Sequence, residues 1–346
     1  MASPFGRHPL IRPARAAVAA LSLVLVACQP GAAQLPSGRI AWPRDGDLWV
    51  YNTAAKDSKK ITNLPRSAAV TGAAWSADGA RIVYAQFWRR PSETVSGADL
   101  MVAGADGADP HSFADRDVPS TVLDTPSWTA SGRLYYTQRR VQGGREHQSV
   151  VRQLEGGSPE TVVDDAFSAS VAADESTIVY VRNTAAGQEL RRKALAEAGD
   201  GCVLIPDTVF QLISGPRISP DGKRVAFGGQ GEPASRPAGS CGAAAGPRPA
   251  ADALAALVTV GEWLGVLARP AYAHGLPSDV WAITLDGTGF GRVADVKEDE
   301  PTVAWSPDGS HLAIFGVAAL YAVDAKGGPV QKLVDQGGYG GLDWTK

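Results

Sequence analysis

The sequence predicts an all-β fold, a six-bladed β-propeller of four-stranded blades, and three observations carry that expectation. First, one phrase recurs: an apolar or aromatic anchor, a small polar turn with Asp-Gly or a worn copy of it, then a short β-branched strand. It stands at Trp75-Ser76-Ala77-Asp78-Gly79, Trp128-Thr129-Ala130-Ser131-Gly132, Val171-Ala172-Ala173-Asp174, Ile218-Ser219-Pro220-Asp221-Gly222 and Trp305-Ser306-Pro307-Asp308-Gly309. Second, the anchors are spaced by 53, 43, 47 and 87 residues, and a last anchor, Trp344, follows after another 39. Third, the two ends are complementary. Arg39-Ile40-Ala41-Trp42 is a second strand with no first, and Gly341-Leu342-Asp343-Trp344 is a first strand with no second. The C-terminal strand is therefore expected to close blade one, which removes the open edges of a linear array.

Each element follows from local chemistry. Asp-Gly supplies the positive φ that a tight turn between antiparallel strands requires. The third strands are expected at Leu48–Tyr51, Leu100–Val102, Val150-Val151, Leu190, Val280–Ile283 and Leu320–Val323. The fourth strands are expected at Ile61-Thr62, Ser112-Phe113, Thr161–Val163, Val203–Ile205, Arg292-Val293 and Val330–Leu333. The composition agrees: 39 Gly and 24 Pro in 346 residues favour many turns and hence many short strands. The propeller is assigned to residues 39–346, with an insertion over 229–277 in blade five accounting for the long spacing.

Residues 1–27 read as an export signal. Arg7, Arg12 and Arg15 precede a 12-residue apolar run from Ala16 to Ala27, too short to span a bilayer as a helix. Leu25-Val26-Ala27-Cys28 resembles the lipobox of bacterial lipoproteins, in which the cysteine sulfur takes a diacylglycerol and the chain is cut before it. The resemblance implies lipidation, palmitate included, at Cys28; an ordinary secretory signal is the alternative. Residues 28–38 form a polar, Pro/Gly-rich tether. Losing the three arginines takes 33 basic groups to 30 against 36 acids. That balance gives no basic footprint for nucleic acid and predicts no general attraction to anionic lipid.

Export implies an oxidising compartment. Cys202 and Cys241 remain, as a disulfide or as two unpaired thiols.

The Trp-Ser-Pro-Asp-Gly phrase resembles the WD-like repeat of the TolB family over nearly all of the mature chain. The resemblance implies a propeller of the cell envelope that binds partner proteins. The chain departs from that family in its lipobox and in lacking an N-terminal α/β domain.

Strand order sorts the loops onto two faces. Turns between first and second and between third and fourth strands share one face, which is plain. The other face carries long connections: Gln86–Gly97 with Trp88, Arg89 and Arg90; Gln138–Gln148 with Arg139, Arg140, Arg145 and His147; and the 229–277 insertion with Trp263. Trp88, Arg89, Arg90, Arg139, Arg140 and Trp263 are the candidate partner-binding residues, because aromatic residues and Arg concentrate binding energy and long loops on rigid scaffolds carry function. Residues 250–268 read as an apolar helix that packs on the propeller, docks a partner or spans a membrane.

No Gly-x-Ser-x-Gly elbow or His-Glu-x-x-His motif occurs. Asp47, Asp99 and Asp279 each stand just before a third strand, which suggests a structural hydrogen bond repeated per blade. No cofactor and no metal are expected. The chain is expected to be a monomeric, extracytoplasmic binding or scaffolding lipoprotein that presents one propeller face to an envelope protein or glycan. The alternatives are a propeller enzyme, a glycan lyase or hydrolase with its site at the channel mouth, and a sensor or accessory subunit.

Overall fold

The central strands carry near-continuous apolar runs, as over 82–85 and 280–283, so each sheet must bury both faces, and the structure meets that requirement with a ring of sheets. The computed structural model describes Met1, residues 34–233, Pro237, residues 239–241 and residues 277–346. The described residues from 35 to 346 form one compact unit. Cys28, Trp263 and the expected 250–268 helix lie outside the described residues, and no described residue is helical.

Among the described residues, twenty-four strands make antiparallel meanders of four. The first holds β1 (Arg39–Arg44), β2 (Asp47–Asn52) and β3 (Asp57–Lys60), with β24 (Asp343–Thr345) on the free edge of β1. The second runs β4 (Ala68–Trp75), β5 (Arg81–Trp88), β6 (Gly97–Gly104), β7 (His111–Ala114). The third runs β8 (Val122–Trp128), β9 (Leu134–Gln142), β10 (Arg145–Gln153), β11 (Glu160–Asp164). These two are joined by a single parallel bridge, Ala98 to Val122. The fourth runs β12 (Phe167–Val171), β13 (Thr177–Asn183), β14 (Gln188–Ala194), β15 (Cys202–Ile205). The fifth runs β16 (Leu212–Ile218), β17 (Arg224–Gln230), β18 (Ser278–Thr284), β19 (Gly291–Glu298). The last runs β20 (Thr302–Trp305), β21 (His311–Phe315), β22 (Leu320–Asp324), β23 (Gln331–Val334).

The inner strands contact one another in cyclic order β24, β4, β8, β12, β16, β20 and back to β24. The core is correspondingly divided into clusters, each between two consecutive meanders. Ile40, Trp42 and Trp344 meet Phe315 and Leu320 across one gap, and Ala41 and Leu48 meet Val70, Trp75 and Ile82 across the next. The chain-end prediction therefore holds: Arg39, Ile40 and Ala41 pair with Thr345, Trp344 and Asp343.

The anchors recur because neighbouring meanders use them as joints. Arg39 stacks over Trp75, Arg81 over Trp128 and Arg224 over Trp305, at 4.6, 4.9 and 5.3 Å. In each pair an arginine opening one meander's second strand covers the next meander's anchor, and a pair of this kind contributes about 0.5–1 kcal/mol when exposed and more when desolvated. The residue before the anchor supplies another joint. Asp343 accepts from the Trp75 amide at 2.8 Å, and Ser170 accepts from the Ile218 amide at 3.0 Å.

The Asp-Gly turns are closed by their own side chains. Ser76 and the Ala80 amide both donate to Asp78, and Ser306 and the Ser310 amide repeat this on Asp308. Gly79 and Gly309 take φ of 67° and 71°, where a Cβ would strain the backbone. The Asp78 and Asp308 carboxyls are held below the usual range: Ser76 does this for Asp78, while at Asp308 hydrogen bonds from Ser306 and Ser310 outweigh burial.

Two sequence expectations are corrected. The fourth strand of the first meander is Asp57–Lys60 rather than Ile61-Thr62. It is a charged outer edge, which suits a strand that must resist pairing with other chains. The Gln138–Gln148 stretch is not a loop. β9 and β10 continue through it as a ribbon and turn at Gly143-Gly144, where both residues have positive φ. Cys202 and Cys241 form a disulfide. Beside it Ser240 brackets Val203, its amide donating to the carbonyl and its hydroxyl accepting from the amide, which covers the edge of β15.

Candidate binding face

The carboxylates at the third-strand starts organise the loop-bearing face as expected. Asp47 accepts from Thr62 and the Leu64 amide, and Asp279 from the amides of Val296 and Lys297. Asp47 thereby pins the chain just past its fourth strand, and Asp279 pins the last residues of β19. Asp99 is the most heavily used. It accepts from the Arg116 amide at 2.8 Å and from the Arg116 guanidinium at 2.9 Å. It also accepts from Trp88 Nε1 at 2.6 Å and from Arg90 at 2.7 Å. Arg116 also pairs with Glu93 and lies 5.7 Å from the Trp88 ring centre. Trp88 and Arg90 thus turn their polar ends inward onto one buried carboxylate, while Arg89 between them is exposed.

Arg139 and Arg140 lie on β9, near the end of the ribbon. Arg139 pairs with buried Asp124, whose carboxyl burial pushes up. Arg140 pairs with Asp117 at 2.5 Å, and Asp117 is held low by Thr121 and Arg140 in spite of its partial burial. The Nε atoms of both arginines are buried without an acceptor. Between the second and third meanders these residues border a groove of about 280 Å³, with Phe87, Val122, Val141 and Glu146 among its walls. Phe87 is 38% and Val141 58% exposed, and Val95 and Val118 are exposed on the neighbouring loops. Sequence reasoning saw Phe87 in the long 86–97 connection without giving it a binding role, and singled out none of the three valines; their signal was position at strand ends on the long-loop side, which composition does not reveal.

A second cavity, of about 570 Å³, opens at the same face where the β13–β14, β15–β16 and β17–β18 connections meet. Its wall includes Phe210, which packs against Phe227, Trp281 and Phe290. At the inner edge of this face the backbone bulges in successive meanders. Thr125, Ser168 and Gly215 all take φ of 49°. Thr137 stabilises two of these bulges, sharing a 2.7 Å hydrogen bond with the Thr125 hydroxyl and accepting from the Ser168 amide.

The histidines are dispersed. His147 is exposed on the ribbon, and His311 contacts Ser310. His111 lies on the plain face, where it and Arg81 clamp Glu155 of the third meander at 2.9 and 2.7 Å. Among the described residues no group of three or more His, Cys, Asp or Glu is arranged to hold a metal. Glu155 and the Asp109 carbonyl raise the His111 pKa. Sharing of this clamp therefore favours the fold most below the unfolded His value near ~6.5 and fades as pH rises through the higher folded value. NMR titration should place His111 above a free histidine, and Glu155→Gln should return it; an unchanged His111 in that variant refutes the clamp.

No family model matches the sequence, and no curated protein matches it. Solved structures do match in fold. TolB from Acinetobacter baumannii is 13% identical at a TM-score of 0.60, over 89% of this chain and 66% of that one. This chain thus spans just under two thirds of that protein. A putative TolB from Agrobacterium tumefaciens is 12% identical at 0.59, over 90% of this chain and 100% of its own. A chain of the nidogen/laminin complex is 8% identical at 0.58, over 89% and 98%.

Proposed function

The fold is that of a TolB-like β-propeller, and from it we propose a lipid-anchored binding or scaffolding protein of the cell envelope. Its partner is a protein, held at the loop-bearing face. The lipobox at Cys28 supports the anchor, and the chain termini at the plain face, where Arg39 donates to the Lys346 carbonyl, orient the loop-bearing face away from it. One observation carries the binding assignment: exposed Phe87 and Val141 line a groove on the face with the long connections, and the connections of that face also carry exposed Val95 and Val118. Grouped apolar exposure of this kind marks interaction surfaces. The opposite face consists mainly of tight turns whose polar groups are consumed within the turn.

The reading is tested in the envelope with full-length protein. Photo-crosslinkers at residues 95 and 118 should capture discrete products, and Val141→Asp with Phe87→Ser should abolish them while the melting temperature holds. Cys28→Ala should move the protein from the membrane to the soluble fraction. Crosslinks unchanged by the double variant overturn the binding face, and membrane retention of Cys28→Ala overturns the anchor.

A further inference from the structure

The groove between the second and third meanders combines apolar walls with two partly exposed guanidiniums, and that combination specifies an occupant. Phe87 and Val141 form exposed apolar sides. Arg139 and Arg140 stand at its polar side, each held from behind by one carboxylate, with its Nε buried and unpaired. Both side chains are nonetheless partly exposed, 42% at Arg139 and 35% at Arg140, so an incoming anion meets the guanidinium edges that the carboxylates leave open. Arg89 and Arg145 are exposed nearby and make no ion pair among the described residues. Glu146 is the acid on the groove wall, and it accepts a hydrogen bond from Gln148. Four guanidiniums, of Arg89, Arg139, Arg140 and Arg145, thus stand against three carboxylates, of Asp117, Asp124 and Glu146, a positive excess of one on a chain whose net charge is -3.

Size narrows the occupant further. Pockets that engulf small ligands run from about 300 Å³ upward, and this groove is about 280 Å³ and open. It suits one or two anchoring side chains of a larger partner. The apolar groups beyond it, Val95 and Val118, would then cover further apolar surface on that partner.

We propose that this groove recognises an acidic-apolar protein segment: an Asp or Glu carboxylate received by Arg139 and Arg140, with an adjacent aromatic or branched aliphatic residue against Phe87 and Val141. The proposal rests on the binding-face reading and adds the chemistry of the partner.

The test pans a phage-displayed random dodecapeptide library on immobilised full-length protein and measures selected synthetic peptides by fluorescence anisotropy. Selected sequences should pair Asp or Glu with an aromatic or aliphatic neighbour. Replacing the acid by its amide should weaken binding about tenfold, as loss of a charge-assisted contact implies. Arg140→Gln and Val141→Asp should each weaken it by a similar factor with the melting temperature unchanged, and raised salt should weaken it too. Selection of peptides without acids, amide peptides that bind equally, or full affinity in Arg140→Gln overturns the proposal. So does selection of no peptide at all, including the case in which an acidic glycan binds instead. Each of these outcomes leaves the crosslinking result standing on its own.

Discussion

Replacing Asp99 by Ala should destabilise the protein by about 3–5 kcal/mol, the range for stripping the partner from a buried charge. The Arg116 side chain is 0% exposed and Asp99 1%. Without the carboxylate, Arg116 keeps Glu93, but Trp88 Nε1, the Arg116 amide and part of two guanidiniums lose their acceptor. Equilibrium denaturation of the pure protein measures the effect. Asp279→Ala should cost less, because its cationic partner Arg292 is 38% exposed and also contacts Glu232. Equal, small effects at both positions would show that Asp99 is no keystone. The Asp99 result also bears on the binding face: loss of this carboxylate frees the 89–96 connection, so binding at the adjoining groove should weaken in the same variant.

How far these features were legible in the sequence depends on how local their causes are. The Asp-Gly turns were legible, because the residues that close each turn lie within five positions of one another, as Ser76, Asp78 and Arg81 do. The role of Asp47, Asp99 and Asp279 was legible from recurrence alone. Their partners were not, since Leu64 and Arg116 each lie 17 residues on. Trp88-Arg89-Arg90 shows the limit most plainly. Composition suggested one surface cluster, yet alternate residues of that segment face opposite ways, and the buried carboxylate claims Trp88 and Arg90 while solvent takes Arg89. The β9–β10 ribbon was missed for a related reason. Polar residues such as Arg140, Gln142 and Glu146 carry no apolar alternation, because beyond Arg139 on β9 and Ser149 on β10 the ribbon has no neighbouring strand to bury it.

Circular closure carries the second large expected effect. Deleting residues 342–346 should abolish the single cooperative unfolding transition. The deletion removes β24, and with it Leu342 and Trp344, which are 0% and 5% exposed within the cluster joining the last and first meanders. It also removes Asp343, which receives the Trp75 amide and so ties the first meander to the second. β1 then becomes an open edge, and the ring loses continuity between β20 and β4. Trp344→Ala isolates the packing component and should cost about 3–5 kcal/mol, the usual loss for a large aromatic in a core, while leaving the backbone pairs of Ile40 and Ala41 in place. Calorimetry and hydrogen exchange distinguish the two variants. In the truncated chain, protection should fall first in β1 and β2, because their inner neighbour is gone, whereas Trp344→Ala should lower stability without that ordering. A truncated chain that melts like its parent would mean that the remaining contacts close the ring without a terminal strand.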